Sequence, residues 1–111
     1  MSKPNFGIGK TSTRKNIRGA PFTFKVEDAV GFQVGKEHKK YICLQRLKHL
    51  TPKERIEYRF AYYMVGVKEG AKGRWVFGQY ALMIGPKQLQ RLLLMAVKKW
   101  PDFSELIPNC A

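Results

Sequence analysis

Glu54-Arg55-Ile56-Glu57-Tyr58-Arg59-Phe60-Ala61-Tyr62-Tyr63-Met64-Val65 is the stretch whose reading decides the fold. Ile56, Tyr58, Phe60, Tyr62 and Met64 recur at every second position, and Arg55, Glu57, Arg59, Ala61 and Tyr63 fill the gaps. A period of two belongs to a strand, whose successive side chains point to opposite faces. Aromatic residues suit a pleated, half-buried surface. This strand therefore has one apolar face, and one face that mixes arginine with an aromatic ring.

Upstream, Tyr41–Lys48 reads as a neighbouring strand, with Ile42 and Leu44 on one face and Tyr41, Cys43 and Gln45 on the other. Gly35–Lys40 is a charged turn before it. Phe22, Phe24 and Val26, then Val30, Phe32 and Val34, alternate as one bent strand or two short ones around Glu27-Asp28. Thr51-Pro52 has the chemistry of a helix start, but the alternation beyond it overrides that signal.

Downstream, Gly66–Gly73 is a basic loop with Lys68 and Lys72. Arg74–Ile84 reads as the partner strand, with Trp75, Phe77, Gln79 and Met83 on one face. Gly78 inside it marks a bulge or a close approach of something to the backbone. Gly85-Pro86 opens a helix, since proline at the first helical position gives up no intrahelical bond. Leu89, Leu92, Leu93, Ala96 and Trp100 form its apolar stripe, and Pro101 stops it. Leu94 and Met95 lie outside the stripe and suggest a second partner, such as another copy of the chain. The tail after Asp102 carries Phe103, Leu106 and Ile107 and is expected to dock. The resulting expectation is an α+β domain: a mostly antiparallel sheet of four or five strands followed by one C-terminal helix.

The 111 residues suit one domain, and 44% apolar and 13% aromatic content excludes wholesale disorder. No apolar run approaches the roughly 20 residues of a membrane span, and the first residues lack a signal-peptide pattern. Two cysteines, Cys43 and Cys110, are too few for a disulfide scaffold. A reducing compartment is expected: cytoplasmic or nucleoid- or nucleus-associated, not secreted. The charge is the outlying feature: 21 Lys+Arg against 8 Asp+Glu, a net of +13. Such an excess favours a polyanionic partner, through release of the polyanion's condensed counterions. Residues 1–20 carry Lys3, Lys10, Arg14, Lys15 and Arg18 and no acid. They read as a mobile basic arm ahead of a domain over residues 21–111.

Catalytic patterns are sparse. His38 and His49 are the only histidines, and neither has metal-ligand spacing to a second histidine or a cysteine. Glu54 and Glu57 fall on opposite faces of one strand. No metal, cofactor or catalytic residue is expected. If the helix covers the apolar face, the other face presents Arg55, Arg59, Tyr63, Trp75, Phe77 and Gln79, extended by Tyr41 and Gln45. Flat rings among arginines accept unstacked bases, at about 1–3 kcal/mol per base. Duplex bases are already stacked and gain nothing there. The same rings also fit a second core layer or a dimer seam.

The strand Arg55–Val65 with its Tyr62-Tyr63 pair, the loop Glu69-Gly70-Ala71-Lys72-Gly73-Arg74 and the junction Ala81-Leu82-Met83-Ile84-Gly85-Pro86-Lys87-Gln88-Leu89 carry a resemblance. Over residues 40–100 the chain resembles the single-stranded-DNA-binding transcriptional coactivator family of the positive-cofactor type. Lys87 departs from the acid, and Leu89 from the tryptophan, common in that family. The resemblance implies a homodimer whose sheets bind single strands through Arg55, Arg59, Tyr63, Lys72 and Arg74. The expected function is thus sequence-tolerant, non-catalytic binding of single-stranded nucleic acid, DNA ahead of RNA, with no membrane involved. The rivals are a small basic ribonuclease toxin, with His38 or His49 approaching Arg55 or Arg59, and a phage-type inhibitor of a nucleic-acid enzyme.

Overall fold

The alternation in residues 54–65 becomes the fourth strand of a five-stranded sheet in the computed structural model, which describes residues 3–35, 40–66, 70 and 72–106. The strands are β1 (Thr11–Lys15), β2 (Pro21–Val34), β3 (Lys40–Thr51), β4 (Arg55–Val65) and β5 (Trp75–Phe77). Each pairs antiparallel with the one before it, in the order β1-β2-β3-β4-β5. Two helices follow, α1 (Pro86–Lys99) and α2 (Phe103–Leu106). The fold is α+β: an antiparallel sheet followed by a C-terminal helical part.

Cross-strand register sorts the residues onto two faces. Ile42 stands opposite Tyr62, and Leu44 opposite Phe60; Tyr41 stands opposite Tyr63, and Gln45 opposite Arg59. In β2 the register shifts at Thr23/Phe24 and again at Val26/Asp28. Such irregularities sharpen local twist. They rotate Phe24 and Val26 toward the face shared with Leu47, while Val30 and Phe32 stay on the opposite face. The sheet curls, so that Arg14 on one edge strand and Phe77 on the other line one depression.

The helices cover the convex face. Leu92 packs with Phe32, Ile42 and Tyr62, and Ala96, Trp100 and Phe103 pack with Val30 and Leu44. The Gly85 N–H donates to the Gln88 side-chain oxygen at 3.0 Å at the start of α1. Lys98 and Lys99 lie at its C-terminal end, where the helix dipole favours cations. Acidic groups latch the helical part to the sheet. Trp100 Nε1 donates to Asp28 Oδ2 at 2.8 Å, and Lys99 Nζ lies 3.0 Å from Asp28 Oδ1. Arg46 donates to Glu27 at 2.8 Å, to both oxygens of Asp102 at 2.8 and 2.9 Å, and to the Tyr58 hydroxyl. Cover is incomplete over β4, where Ile56, Phe60 and Met64 stay exposed.

Several expectations are corrected. The described part of residues 1–20 is not a mobile arm: β1 pairs with β2 from Thr11↔Lys25 to Lys15↔Pro21, and Phe6 is buried. β5 ends at Phe77, short of Ile84: the Gly78 N–H makes the last bond in ladder register, to the Tyr62 carbonyl, and the Tyr80 N–H, next in line, goes to the Tyr62 hydroxyl instead of a β4 carbonyl. Within the α1 stripe, Leu89 is exposed, while Met95 is half-buried against two core clusters of its own chain. In the tail, Phe103 docks and Leu106 stays exposed. His38, Lys68, Ile107 and Cys110 lie outside the described residues.

Candidate nucleic-acid interface

The concave face is floored by a row of small residues, Ala29 and Gly31 on β2, Cys43 on β3 and Ala61 on β4. Small side chains leave a trough, and the Phe6 ring fills it, packed also against Tyr41 and Tyr63. A Cβ at Gly31 would come within 2.8 Å of both Cys43 Cβ and Phe6 Cζ, so only glycine lets the ring lie this deep. Phe6 itself has φ 58°, an unfavourable left-handed conformation for a residue with a Cβ. Burial of its ring offsets that strain. Residues 4–10 thereby form a wall along the trough, fixed by the Gly9 N–H to the Val26 carbonyl at 2.8 Å and the Val26 N–H to the Lys10 carbonyl at 2.9 Å.

Beside that wall is a depression of about 550 Å³, lined by Lys10, Ser12 and Arg14 from the first strand region, Val26, Gln45, Arg59 and Tyr63 from the floor, and Trp75, Phe77 and Gln79 from the far edge. Arg59 is at its centre. Its Nε donates to Gln45 Oε1 at 2.8 Å, and its guanidinium carbon lies 5.3 Å from the Phe24 ring centroid and 5.0 Å from that of Phe77. Gln45 is fully buried, and its Nε2 donates to the Phe6 carbonyl at 2.9 Å. Burial lowers the Arg59 pKa from its ordinary value and raises that of the Tyr63 hydroxyl, since charge is costly away from water. Among the described residues, no carboxylate pairs with Arg59.

The aromatic rings of this face contact one another edge-on. Tyr63 meets Phe77 at 5.4 Å and 80°, and Tyr41 meets Trp75 at 5.3 Å and 88°. Phe77 remains exposed and Trp75 half-buried. Of the residues singled out in the sequence, the structure thus gathers Lys10, Arg14, Arg59, Tyr63, Trp75 and Phe77 around one cavity, with Tyr41 behind Trp75. The others lie elsewhere. Arg55 faces Glu57 at 3.3 Å near the start of β4, and Lys72 and Arg74 are exposed in the β4–β5 connection, where Arg74 donates to the Gly70 carbonyl. Lys15 ends β1, and Arg18 sits in the β1–β2 turn, its N–H on the Asn16 side chain. Leu94 is exposed on α1, far along the chain from this face.

A second, contiguous depression of about 330 Å³ shares Arg14 and Arg59 and adds Phe22, Phe24, His49 and Glu57. The His49 ring lies stacked beside Phe22 at 5.8 Å, its Nε2 is paired with Glu57, and it is buried. Its Nδ1 has no hydrogen-bond partner among the described residues. Among the described residues, no group of three or more His, Cys, Asp or Glu side chains is arranged to hold a metal.

Sequence reading missed Phe6, Ser12 and the locking role of Gln45. A signal for Phe6 was present: Gly31, Cys43 and Ala61 are small residues in strands otherwise rich in large ones, and such a row implies that something lies across it. Compared with known proteins, the chain matches no family model, no curated protein and no solved structure.

Proposed function

We propose that the concave face binds single-stranded nucleic acid without sequence selection and without catalysis. The observation that carries this reading is Arg59: a half-buried cation with no acidic partner among the described residues, in a depression also lined by lysine, arginine, the half-buried Trp75 and the exposed Phe77. A cation is left uncompensated at such a position at a cost in stability, and an incoming anion offsets that cost. Phosphates supply the anion, and unstacked bases supply flat partners for Trp75 and Phe77. The volume lies within the range of about 300–1,000 Å³ typical of small-ligand sites, which suits individual nucleotides and not a duplex. The resemblance to the positive-cofactor coactivators supports the same reading and favours DNA, in a homodimer to which the exposed Leu94 would contribute. Sedimentation at low and high protein concentration tests the dimer.

The direct test is fluorescence anisotropy with a labelled single-stranded 20-mer and its duplex at two salt concentrations, with tryptophan emission followed in parallel. Tighter binding of the single strand with quenching is expected, and Trp75→Ala should weaken it by about 1–3 kcal/mol. Equal affinity for the duplex without quenching would reduce the interaction to net charge and remove the aromatic face from it.

A further inference from the structure

The Arg59 guanidinium is aimed, as well as being without a carboxylate partner among the described residues. Its Nε is committed to Gln45, and Gln45 is in turn locked by the backbone carbonyl of Phe6, so the plane of the fork is set before any ligand arrives. The rings of Phe24 and Phe77 lie on the guanidinium at 5.3 and 5.0 Å and restrict its rotation. The two Nη nitrogens have no hydrogen-bond partner among the described residues. Lys10, Ser12, Arg14 and Tyr63 line the same depression. We infer that Arg59, locked by Gln45 and assisted by Arg14, Lys10 and the Tyr63 hydroxyl, is a seat for one nucleotide phosphate.

The donor inventory selects phosphate. A preset guanidinium fork matches two oxygens of a phosphate or a carboxylate. The additional cations and hydroxyls on the same walls outnumber what a carboxylate's two oxygens accept, and they suit the larger, more highly charged group. Trp75 and Phe77 beside the seat give the attached base a surface. Half-burial keeps the interaction from being screened as a surface pair would be. The phosphate has two sources, a diester within a strand or the monoester of a free mononucleotide. The inference rests on the nucleic-acid reading only for the first of these. Gln45 and Phe6 act as positioning residues.

The test uses the whole 111-residue chain with four probes: a 20-residue oligothymidylate, thymidine 5′-monophosphate, thymidine and inorganic phosphate. Arg59→Gln is compared with Lys87→Gln, a charge-matched change at an exposed position in the first turn of α1, among residues that line neither concave depression. Removing one phosphate contact from a single strand should lower the slope of log affinity against log salt by about 0.7. Affinity for the oligonucleotide should fall roughly ten-fold or more, as expected for a charge-assisted pair, and Lys87→Gln should leave most of it. In the unmodified protein, the Arg59 Nε resonance in a nitrogen–proton spectrum should shift with thymidine monophosphate or phosphate and not with thymidine. That measurement stands even if the Arg59→Gln chain folds poorly. Oligonucleotide binding with an unmoved resonance, or equal effects of the two substitutions, overturns the seat and leaves the strand reading intact. A resonance that shifts with the mononucleotide while the oligonucleotide fails to bind supports the seat, assigns it to a free nucleotide and overturns the strand reading. Failure of all four probes overturns both.

Discussion

Phe6→Ala tests whether the N-terminal residues belong to the domain core. The Phe6 ring is 4% exposed and rests on Ala29, Gly31, Cys43 and Ala61, with Tyr41 and Tyr63 at its sides. Truncating a buried phenylalanine costs about 3–5 kcal/mol, more where the surroundings cannot collapse into the space. Here the floor is made of the smallest side chains on a hydrogen-bonded sheet, so little can move in. The left-handed backbone at position 6 persists in the variant without the burial that offsets it. A ceiling also exists, because the wall has few other anchors: one side-chain bond from Gln45 and two backbone bonds through Gly9 and Lys10. Once the ring's contribution is lost, the segment can detach and cap the loss near 3 kcal/mol. For a domain of this size about 3 kcal/mol corresponds to a fall in midpoint of roughly 12–24 °C. Urea and thermal unfolding followed by tryptophan fluorescence measure it, and hydrogen exchange at the Gly9 amide reports whether the wall has left. A loss below about 1 kcal/mol, with the Gly9 amide already unprotected in the parent chain, would show that residues 3–10 are the mobile arm the sequence suggests.

Three further outcomes are expected. A Cβ at position 78 would fall inside the Tyr62 ring, so Gly78→Ala should cost about 1–3 kcal/mol of overpacking and loosen β5, seen as a lower urea midpoint. Asp28 and Asp102 both hold depressed carboxyl pKa values. At Asp28 the penalty of burial is outweighed by bonds from Trp100, Lys99 and the Ala29 N–H, and at Asp102 the Arg46 guanidinium is the main cause. These groups bind protons more readily unfolded than folded, so their stabilisation is complete above the ordinary carboxyl range and is lost as pH falls through the depressed values. The urea midpoint should be flat near neutrality and drop below about pH 4, and a midpoint that rises on acidification would contradict the latch. Burial pushes the Cys43 thiol up to about 12, so native protein at pH 8 should leave Cys43 unlabelled by iodoacetamide until denaturant is added, as read by peptide mass spectrometry.

The parts of this fold that announce themselves in the sequence are those governed by one period. β4 and α1 each repeat a hydrophobic spacing over eleven or more residues, β3 shows a shorter alternation within Tyr41–Lys48, and the Pro86 start and the division of β4 into an apolar and an arginine–tyrosine face follow from local pattern alone. What was illegible depends on contacts distant in sequence. β1 is a polar five-residue strand whose place in the sheet comes from pairing with β2 and from Phe6 reaching Gly31 and Cys43. No window of local residues contains that information, and a segment with five cations and no acid reads as solvated. β5 stops early because the Tyr80 N–H bonds the Tyr62 hydroxyl in place of a β4 carbonyl, and a period-2 pattern continues past such a contact without recording it. The site divides the same way. Arg59 and Tyr63 share a face by periodicity, whereas Lys10 and Arg14 reach them only because the sheet curls.

The distribution of acids turns the net charge into a property of one face. Glu27, Asp28 and Asp102 are all committed to latching the helical part onto the sheet through Arg46, Lys99 and Trp100. On the concave side the acid that lines the depressions is Glu57, and it is engaged by His49 and Arg55. Lys10, Arg14 and Arg59 therefore face the cavity without a carboxylate among the described residues to neutralise them. A chain selected for stability alone would place an acid within reach of Arg59, since burial of an unpaired guanidinium is unfavourable and Gln45 already stands at the position from which a glutamate could pair with it. Gln45→Glu is accordingly the substitution in which stability and binding should part. The new pair with Arg59 is offset by loss of the bond that Gln45 Nε2 donates to the Phe6 carbonyl, so the midpoint should change little, while affinity for a single-stranded oligonucleotide falls and its salt dependence weakens. If Gln45→Glu lowers stability and leaves binding unchanged, the uncompensated charge at Arg59 is not what the concave face was built to offer.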